Sequence, residues 1–394
     1  MSAKAIPSVF EEFDRAKVKF AQAVSDFSER PANVQPLHQH KVIAYLRPLL
    51  TDVSVSVRNS AAVSLGRISS HSPEMAEQII LNEALPPLVM SLSEESVIYK
   101  KAVCFVLKSL AKHSPRLATA VIDSGALEEL AVCLEEFDEG VKESAASVIA
   151  AIAKHSKEMA TRVATSGAVP NLVLSLQEPN PELKKMSALA IYEITKHGSE
   201  LAQTVVDNGA VVVLSQMVNH HDPYLKREVC QCLSSIARHS SELAEVVVDS
   251  DIFPKVFYRL KDLDDTVRKN SAVLVKEVVK QSPEMARLLV KKGGVGPLVE
   301  FVMDSKRSYK LPGILALGYI SAFDHAIASQ VIAAKAVDPL KQALIQVPDD
   351  LVKSAACWTL SMMGGHTPGH AKQLAEHDVL THLLAVYVFK ESTE

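Results

Sequence analysis

Histidine recurs every 42 residues, at His71, His113, His155, His197 and His239, with His366 one residue out of step. Imidazole is a metal ligand and a general acid or base, so a periodic set invites a metal or catalytic reading. The interval argues against it. Residues one helical layer apart are separated by about 8 to 10 Å, whereas a zinc ion holds its ligand atoms at about 2 Å. Four of these histidines directly follow a cation, Lys112, Lys154, Lys196 or Arg238. That is the composition of a helix C-terminus, where positive charge complements the dipole. His366 and His370 stand four apart, with His377 and His382 beyond, yet Pro368 and Gly369 lie between the first pair and spoil a helical ligand face. The five cysteines, Cys104, Cys133, Cys230, Cys232 and Cys357, are scattered without C-x-x-C spacing and read as buried thiols of a reducing compartment. Gly293, Gly294 and Gly296 make no phosphate loop, and the sequence holds no G-x-x-x-x-G-K-[ST], G-x-S-x-G or H-E-x-x-H. No enzyme, cofactor or metal centre is expected.

Charge follows the same interval more strictly. Arg58, Lys100, Lys142, Lys184, Lys226, Arg268 and Lys310 form a basic column, and Asp52, Glu94, Glu136, Glu178, His220, Asp262 and Asp304 stand six residues before them. An acid and a base once per repeat predict a ladder of ion pairs bridging neighbouring layers. Each exposed pair is worth about 0 to 1 kcal/mol, and repetition fixes the register. A second basic set, Lys101, Lys185, Arg227 and Lys269, lies one position on. At about 100° per residue it falls on the shoulder of the helix face that carries Ser56, Ser60, Val63 and Arg67. That face is the candidate partner groove. Its repeat-related positions hold Arg67, Ser109, Glu193, Glu277 and Tyr319 in one column, and Phe105 and Trp358 in the column four residues earlier. With a net charge of −4 the chain has no global positive field for nucleic acid. No apolar run approaches a membrane span, and the N-terminus lacks the apolar core of a signal peptide.

The elements that position these side chains emerge from the same period. The segments after each histidine read HSPEMAEQII, HSPRLATAVI, HSKEMATRVA, HGSELAQTVV and HSSELAEVVV. A breaker follows twelve residues on, at Gly125, Gly167, Gly209 and Gly293, with Asp251 and Lys335 in the same column. Each unit thus reads as a short helix, a glycine stop, a second helix and a longer third. Ser72, Ser114, Ser156 and Ser240 supply N-caps. Two apolar columns on the third helix, led by Leu65 and Ile68, lie three apart and share one face, which a single repeat cannot bury alone. A chain of 394 residues can then be one array rather than several globular cores. Residues 1–28 precede the array as an amphipathic helix with Phe10, Phe13, Phe20 and Phe27, a cap or a dimerisation element. Eight repeats fill 29–365, and 366–394 supply the first two helices of a ninth. Leu380, Leu383, Leu384, Val386, Tyr387 and Phe389 crowd that last helix and make it a second candidate for self-association.

The three-helix unit, with GAVPNL from Gly167 and VKESAA from Val141, resembles the armadillo repeat. The resemblance implies an all-α, right-handed armadillo-type solenoid that binds other proteins. HGSELAQTVVDNGAV from His197, with the opening SVFEEFDRAKVKFAQAVSDFSERPANVQPL, is similar to the sperm-associated antigen six family. That resemblance implies a scaffold of the central apparatus of motile cilia and flagella, in the cytoskeleton, and a shorter form of a longer protein. Its implied partners are other axonemal central-apparatus proteins, tubulin or the microtubule directly or indirectly, and further copies of itself. On this reading the shoulder Lys101, Lys185, Arg227 and Lys269 faces acidic tubulin. A catenin-like or import-type armadillo adaptor is the alternative, although the Trp ladder of import adaptors is reduced here to Trp358.

Overall fold

In the computed structural model, backbone is described for residues 5–94 and 96–391 and side chains for 9–94 and 96–385. The described residues are helical with no strand, and they divide into two compact units, Met1–His197 and Gly198–Glu394. Within each unit the helices come in triplets. In the N-terminal unit the third helices are Val55–His71, Val97–Ala111, Glu139–Ala153 and Pro181–Thr195. In the C-terminal unit they are Pro223–Ala237, Asp265–Val279, Leu311–Phe323 and Asp350–Gly364, followed by the pair Pro368–Glu376 and Val379–Glu391. Consecutive third helices of a unit pack on one another and form its spine.

Local chemistry explains where each helix begins and ends. Ser72, Ser114, Ser156, Ser240 and Ser282 sit in extended backbone and accept a hydrogen bond from the N–H three residues on. The joint between first and second helices is left-handed in repeat after repeat, with φ of 82° at Gly125, 84° at Gly167 and 80° at Gly209 and Gly293. Glu83, Asp251, Lys335 and Asp378 take the same conformation without being glycine. Here the position dictates the conformation, and the residue bears the Cβ strain where it is not glycine. Third helices open on Asp138, Asn180, Asp222, Asp264 and Asp349, each accepting from its own first turn. Their inner faces make the core. Leu65, Leu107, Ile149 and Ile191 are fully buried, as are Ile68, Leu110, Ile152 and Ile194, each contributing about 1.5 to 3 kcal/mol of apolar burial.

The N-terminal helix α1 (Ala5–Ser28) packs against Val55–His71 as a third helix would. It does so through Ala21 and Val24, while Phe10, Phe13 and Phe27 are exposed to solvent. Of the phenylalanines only Phe20 makes a ring contact with the first repeat among the described residues, edge-on to Tyr45 with centroids 6.4 Å apart. Of the C-terminal cluster, Leu380 and Leu384 are exposed; Val386, Tyr387 and Phe389 lie outside the described side chains.

Candidate protein-binding site

The basic and acidic columns meet between layers. Arg58 reaches Glu94 at 2.7 Å, Lys100 pairs with Glu136, Lys142 reaches Glu178 at 2.6 Å, and Lys226 reaches Asp262 at 2.6 Å. Each base thus takes the acid of the following repeat, 36 residues on. Lys17 of α1 adds a rung to Asp52 at 2.6 Å, which the sequence period does not reveal because α1 stands outside the 42-residue register. Asp262 is nearly buried and also receives Arg259. Burial raises its carboxyl pKa, but the Lys226 hydrogen bond, the Asp264 N–H and the nearby cations outweigh this and hold it below the usual value.

The ladder departs from expectation at its far end. Arg268 turns to Asp265 in its own first turn instead of bridging to Asp304. Lys310 donates to the Val302 and Met303 carbonyls, at 2.7 and 3.3 Å, rather than to a carboxylate. The physical reason is local. The second helix of this repeat runs on to Asp304, and Pro312, lacking an N–H, is confined to the first turn of the helix that starts at Leu311. A 3-10 turn over Arg307–Lys310 fills the gap and displaces both partners. Burial pushes the Lys310 ammonium pKa down, partly offset by Asp304. Lys184, which follows Glu178 by six residues, is half-buried on the last third helix of the N-terminal unit.

The expected basic shoulder is compensated. Lys101 reaches Asp138 at 2.8 Å, and Lys185 reaches Glu182 at 2.6 Å. Arg227 donates to Asp264 through Nε at 3.0 Å and through its terminal nitrogen, and it stacks over Tyr224. Lys269 lies over the Tyr309 ring, 5.2 Å from its centroid. Asp138 and Asp264 are themselves N-caps of the next third helix, so Lys101 and Arg227 each tie their layer to the start of the following one. The hydrogen bonds from Lys101 and Arg227 hold these two carboxyls below the usual range. Three of the four shoulder cations thus face a carboxylate, and the fourth lies over a ring.

The groove columns are also altered by their neighbours. Arg67 is held by α1, donating to the Ser25 carbonyl at 2.6 Å and to Glu29 at 2.9 Å. Ser109 is buried, with its hydroxyl 2.8 Å from Ser70 Oγ, and is closed to a partner. Glu193 pairs with Lys196 and Glu277 with Lys276, both half-buried. What remains open is aromatic. Phe105 is exposed and lies over Gly66, where an added methyl would meet its ring at 2.3 Å. Trp358 lies over Gly318 in the same way, at 2.2 Å, and meets Tyr319 edge-on with centroids 5.0 Å apart. Glycine in one layer is the seat for the ring of the next.

The periodic histidines cap carbonyls. His113 Nε2 lies 2.7 Å from the Ser69 carbonyl, His155 2.7 Å from Ala111, His197 2.8 Å from Ala153 and His366 2.7 Å from Ser321. Each closes an orphan acceptor at the C-terminus of the previous third helix. Lys112 and Lys154 do the same for Ser70 and Lys112. Burial lowers the His155 pKa, so the ring is neutral and donates from Nε2. The histidine at these third-helix ends, after lysine in Lys112-His113, Lys154-His155 and Lys196-His197, is the sequence signal for this inter-layer bond. Among the described residues no group of His, Cys, Asp or Glu is placed to hold a metal, and no helix is long and apolar enough to cross a membrane. Cys104, Cys133, Cys230 and Cys232 are buried free thiols, and burial pushes Cys133 and Cys230 up to about 11. An open cleft of about 560 Å³ in the C-terminal unit is lined by His221, Lys226, Tyr258, Arg259, Lys261 and Asp262, but Lys226 and Arg259 are committed to Asp262 and Lys261 pairs with Glu300.

No protein-family model matches the chain. Over 95 residues it is 44% identical to sperm-associated antigen 6 of Mus musculus and 43% identical to that of Homo sapiens. Each match spans 24% of this chain and only 19% of the relative's length. Among solved structures, an engineered protein superposes with a TM-score of 0.87 at 22% identity, covering 94% of this chain and 93% of its own. A designed armadillo repeat protein in complex with the peptide (KR)4 superposes with a TM-score of 0.58 at 23% identity, over 60% of this chain and 99% of its own. The chain is therefore an all-helical repeat protein of armadillo type, similar over a quarter of its length to sperm-associated antigen 6.

Proposed function

We propose that this chain is a non-enzymatic protein-binding scaffold of the central apparatus of motile cilia and flagella, where it supports central-pair structure and axonemal beating. The observation that carries the reading is the 95-residue similarity to sperm-associated antigen 6 in mouse and human. The fold supports the coarser half of it, since a designed armadillo neighbour holds a peptide. The open aromatic seats of this chain, Phe105 over Gly66 and Trp358 beside Tyr319, supply apolar anchors on the same helix face. Attachment to the microtubule runs through other axonemal proteins, because Lys101, Lys185 and Arg227 each already face a carboxylate. A fluorescently tagged copy expressed in a ciliated cell should decorate the central pair along the axoneme. Staining confined to cell junctions or the nucleus would overturn the reading in favour of an adhesion or import adaptor.

A further inference from the structure

The outer edge of the N-terminal unit carries a feature that the groove does not explain. Met90, Val132 and Leu174 stand 42 residues apart on successive second helices, and all three are exposed. Phe137 and Val53, in the turns that follow the second helices, are fully exposed and also differ by a multiple of that period. The layers touch along this edge. Ser93 donates to Glu129 at 2.7 Å, and Asn171 donates to Glu135 at 2.9 Å, so the apolar side chains recur layer by layer along one edge. Large exposed apolar side chains in series are uncommon on a protein surface that contacts only water.

Most of the exposed charge beside the strip is negative, and the exposed cation Lys101, next to Phe137, is paired with Asp138. In the rungs Arg58–Glu94, Lys100–Glu136 and Lys142–Glu178 the carboxylates are 40, 30 and 33% exposed, while their cations are 16, 7 and 15% exposed. Each pair turns its acid outward and sinks its base behind the strip. Glu128 and Glu139 lie alongside, each without an ion pair among the described residues. A rim of outward carboxylates with an apolar centre calls for a partner that is basic around an apolar stripe.

We propose that this edge docks a helix of a partner protein that carries one large apolar residue per heptad among lysines and arginines. The spacing selects a helix. Layers about 8 to 10 Å apart are met about every five to seven residues by a helix rising about 1.5 Å per residue. One apolar side chain per heptad then falls beside each layer in turn. From Val53 to Leu174 the strip spans four layers and matches a helix of about 20 residues.

The probe is a fluorescein-labelled peptide of about 21 residues with leucine at every seventh position in a Lys/Arg/Ala background, followed by anisotropy at low salt. Saturable binding is expected. It should weaken at least tenfold for Phe137→Ser with Leu174→Ser, for Glu128→Lys with Glu139→Gln, and for a peptide of the same composition in scrambled order. Phe137, Leu174 and Glu128 are exposed and Glu139 is half-buried, so variants that keep its shape should melt close to wild type. The charge set leaves the apolar side chains untouched, which keeps one arm valid if the other variant folds poorly. Absence of saturable binding, unchanged binding by the variants, or equal binding of the scrambled peptide overturns the proposal. So does flotation with phosphatidylcholine–phosphatidylserine vesicles, or a wild-type dimer, that Phe137→Ser with Leu174→Ser abolishes. The emission of Trp358, on the groove face of the C-terminal unit, reports binding there separately, so the two surfaces can fail independently.

Discussion

At the residue scale, the side chains that looked most like chemistry are fasteners between layers. His155 shows how this couples to pH. Its folded pKa lies below the unfolded value of 6.5, chiefly through burial. The unfolded chain then binds the proton first, and stability is full above about pH 6.5 and declines as pH falls through the lower folded value. His155→Gln, which copies Gln281 at the same repeat position, should lose less stability than wild type between pH 7 and pH 5 in urea titrations. An equal loss in both proteins would mean that this ring does not carry the dependence. Asp262 is the costliest rung to break, because Lys226 and Arg259 both converge on it in a nearly closed site. Asp262→Asn leaves two buried cations with no carboxylate, and a loss of about 3 to 5 kcal/mol in denaturant unfolding is expected. Gly318→Ala drives a methyl into Trp358 and the Thr359 hydroxyl. A cost of about 1 to 3 kcal/mol should accompany a shift in tryptophan emission, which reads this seat alone because the chain has a single Trp.

At the element scale, the joint between first and second helices shows a backbone demand overriding local preference. Lys335 adopts φ of 62° with its side chain in solvent. Left-handed backbone costs a non-glycine residue about 1 to 2 kcal/mol, part of which glycine returns through the entropy of its unfolded chain. Lys335→Gly should therefore stabilise the protein, by about 0.5 to 1 kcal/mol, with a higher melting temperature as the readout. The third helix is the opposite case, since every turn of it is buried against a neighbour. Ala190→Pro removes a hydrogen bond from the middle of Pro181–Thr195 and places the ring against the preceding turn. Loss of helical circular dichroism beyond one helix is expected, because each layer is stabilised by the next. A wild-type melting curve would be incompatible with that packing.

At the scale of the whole molecule, the compensated shoulder changes what charge reversal should do. Replacing Lys101, Lys185 and Arg227 by Glu sets new carboxylates against Asp138, Glu182 and Asp264. The expected outcome is a lower melting temperature, rather than a folded protein with altered binding alone. Purified wild-type chain should fail to co-sediment with bare microtubules at physiological ionic strength, where the Debye length is about 8 Å. Robust co-sedimentation would restore a direct tubulin contact. Self-association remains a separate proposal. Phe10, Phe13 and Phe27 on α1, and Leu380 and Leu384 on the last helix, are exposed apolar side chains. Light scattering should find assemblies above 42.8 kDa that shrink on Phe10→Ser with Phe13→Ser or on Leu380→Ser with Leu384→Ser.

The architecture was legible in the sequence because a repeat writes its rules many times over. The glycine joints, the serine caps, the third-helix columns and the acid-base ladder each recur at one interval, and coincidence cannot sustain several such columns. Single-copy features were not legible. Nothing in the 42-residue register announces that Lys17 reaches Asp52, or that α1 lies over Arg67, because α1 enters the stack from outside the period. Nor does helical angle alone distinguish a free cation from a paired one. Lys101 and Arg227 looked open on their own helix, and only the stacking of the next layer brings Asp138 and Asp264 against them. Sequence determined which residue types recur on which helix face, since that follows from a period and 3.6 residues per turn. Tertiary structure decided which of them face solvent, because exposure and charge compensation depend on what the neighbouring layer presents.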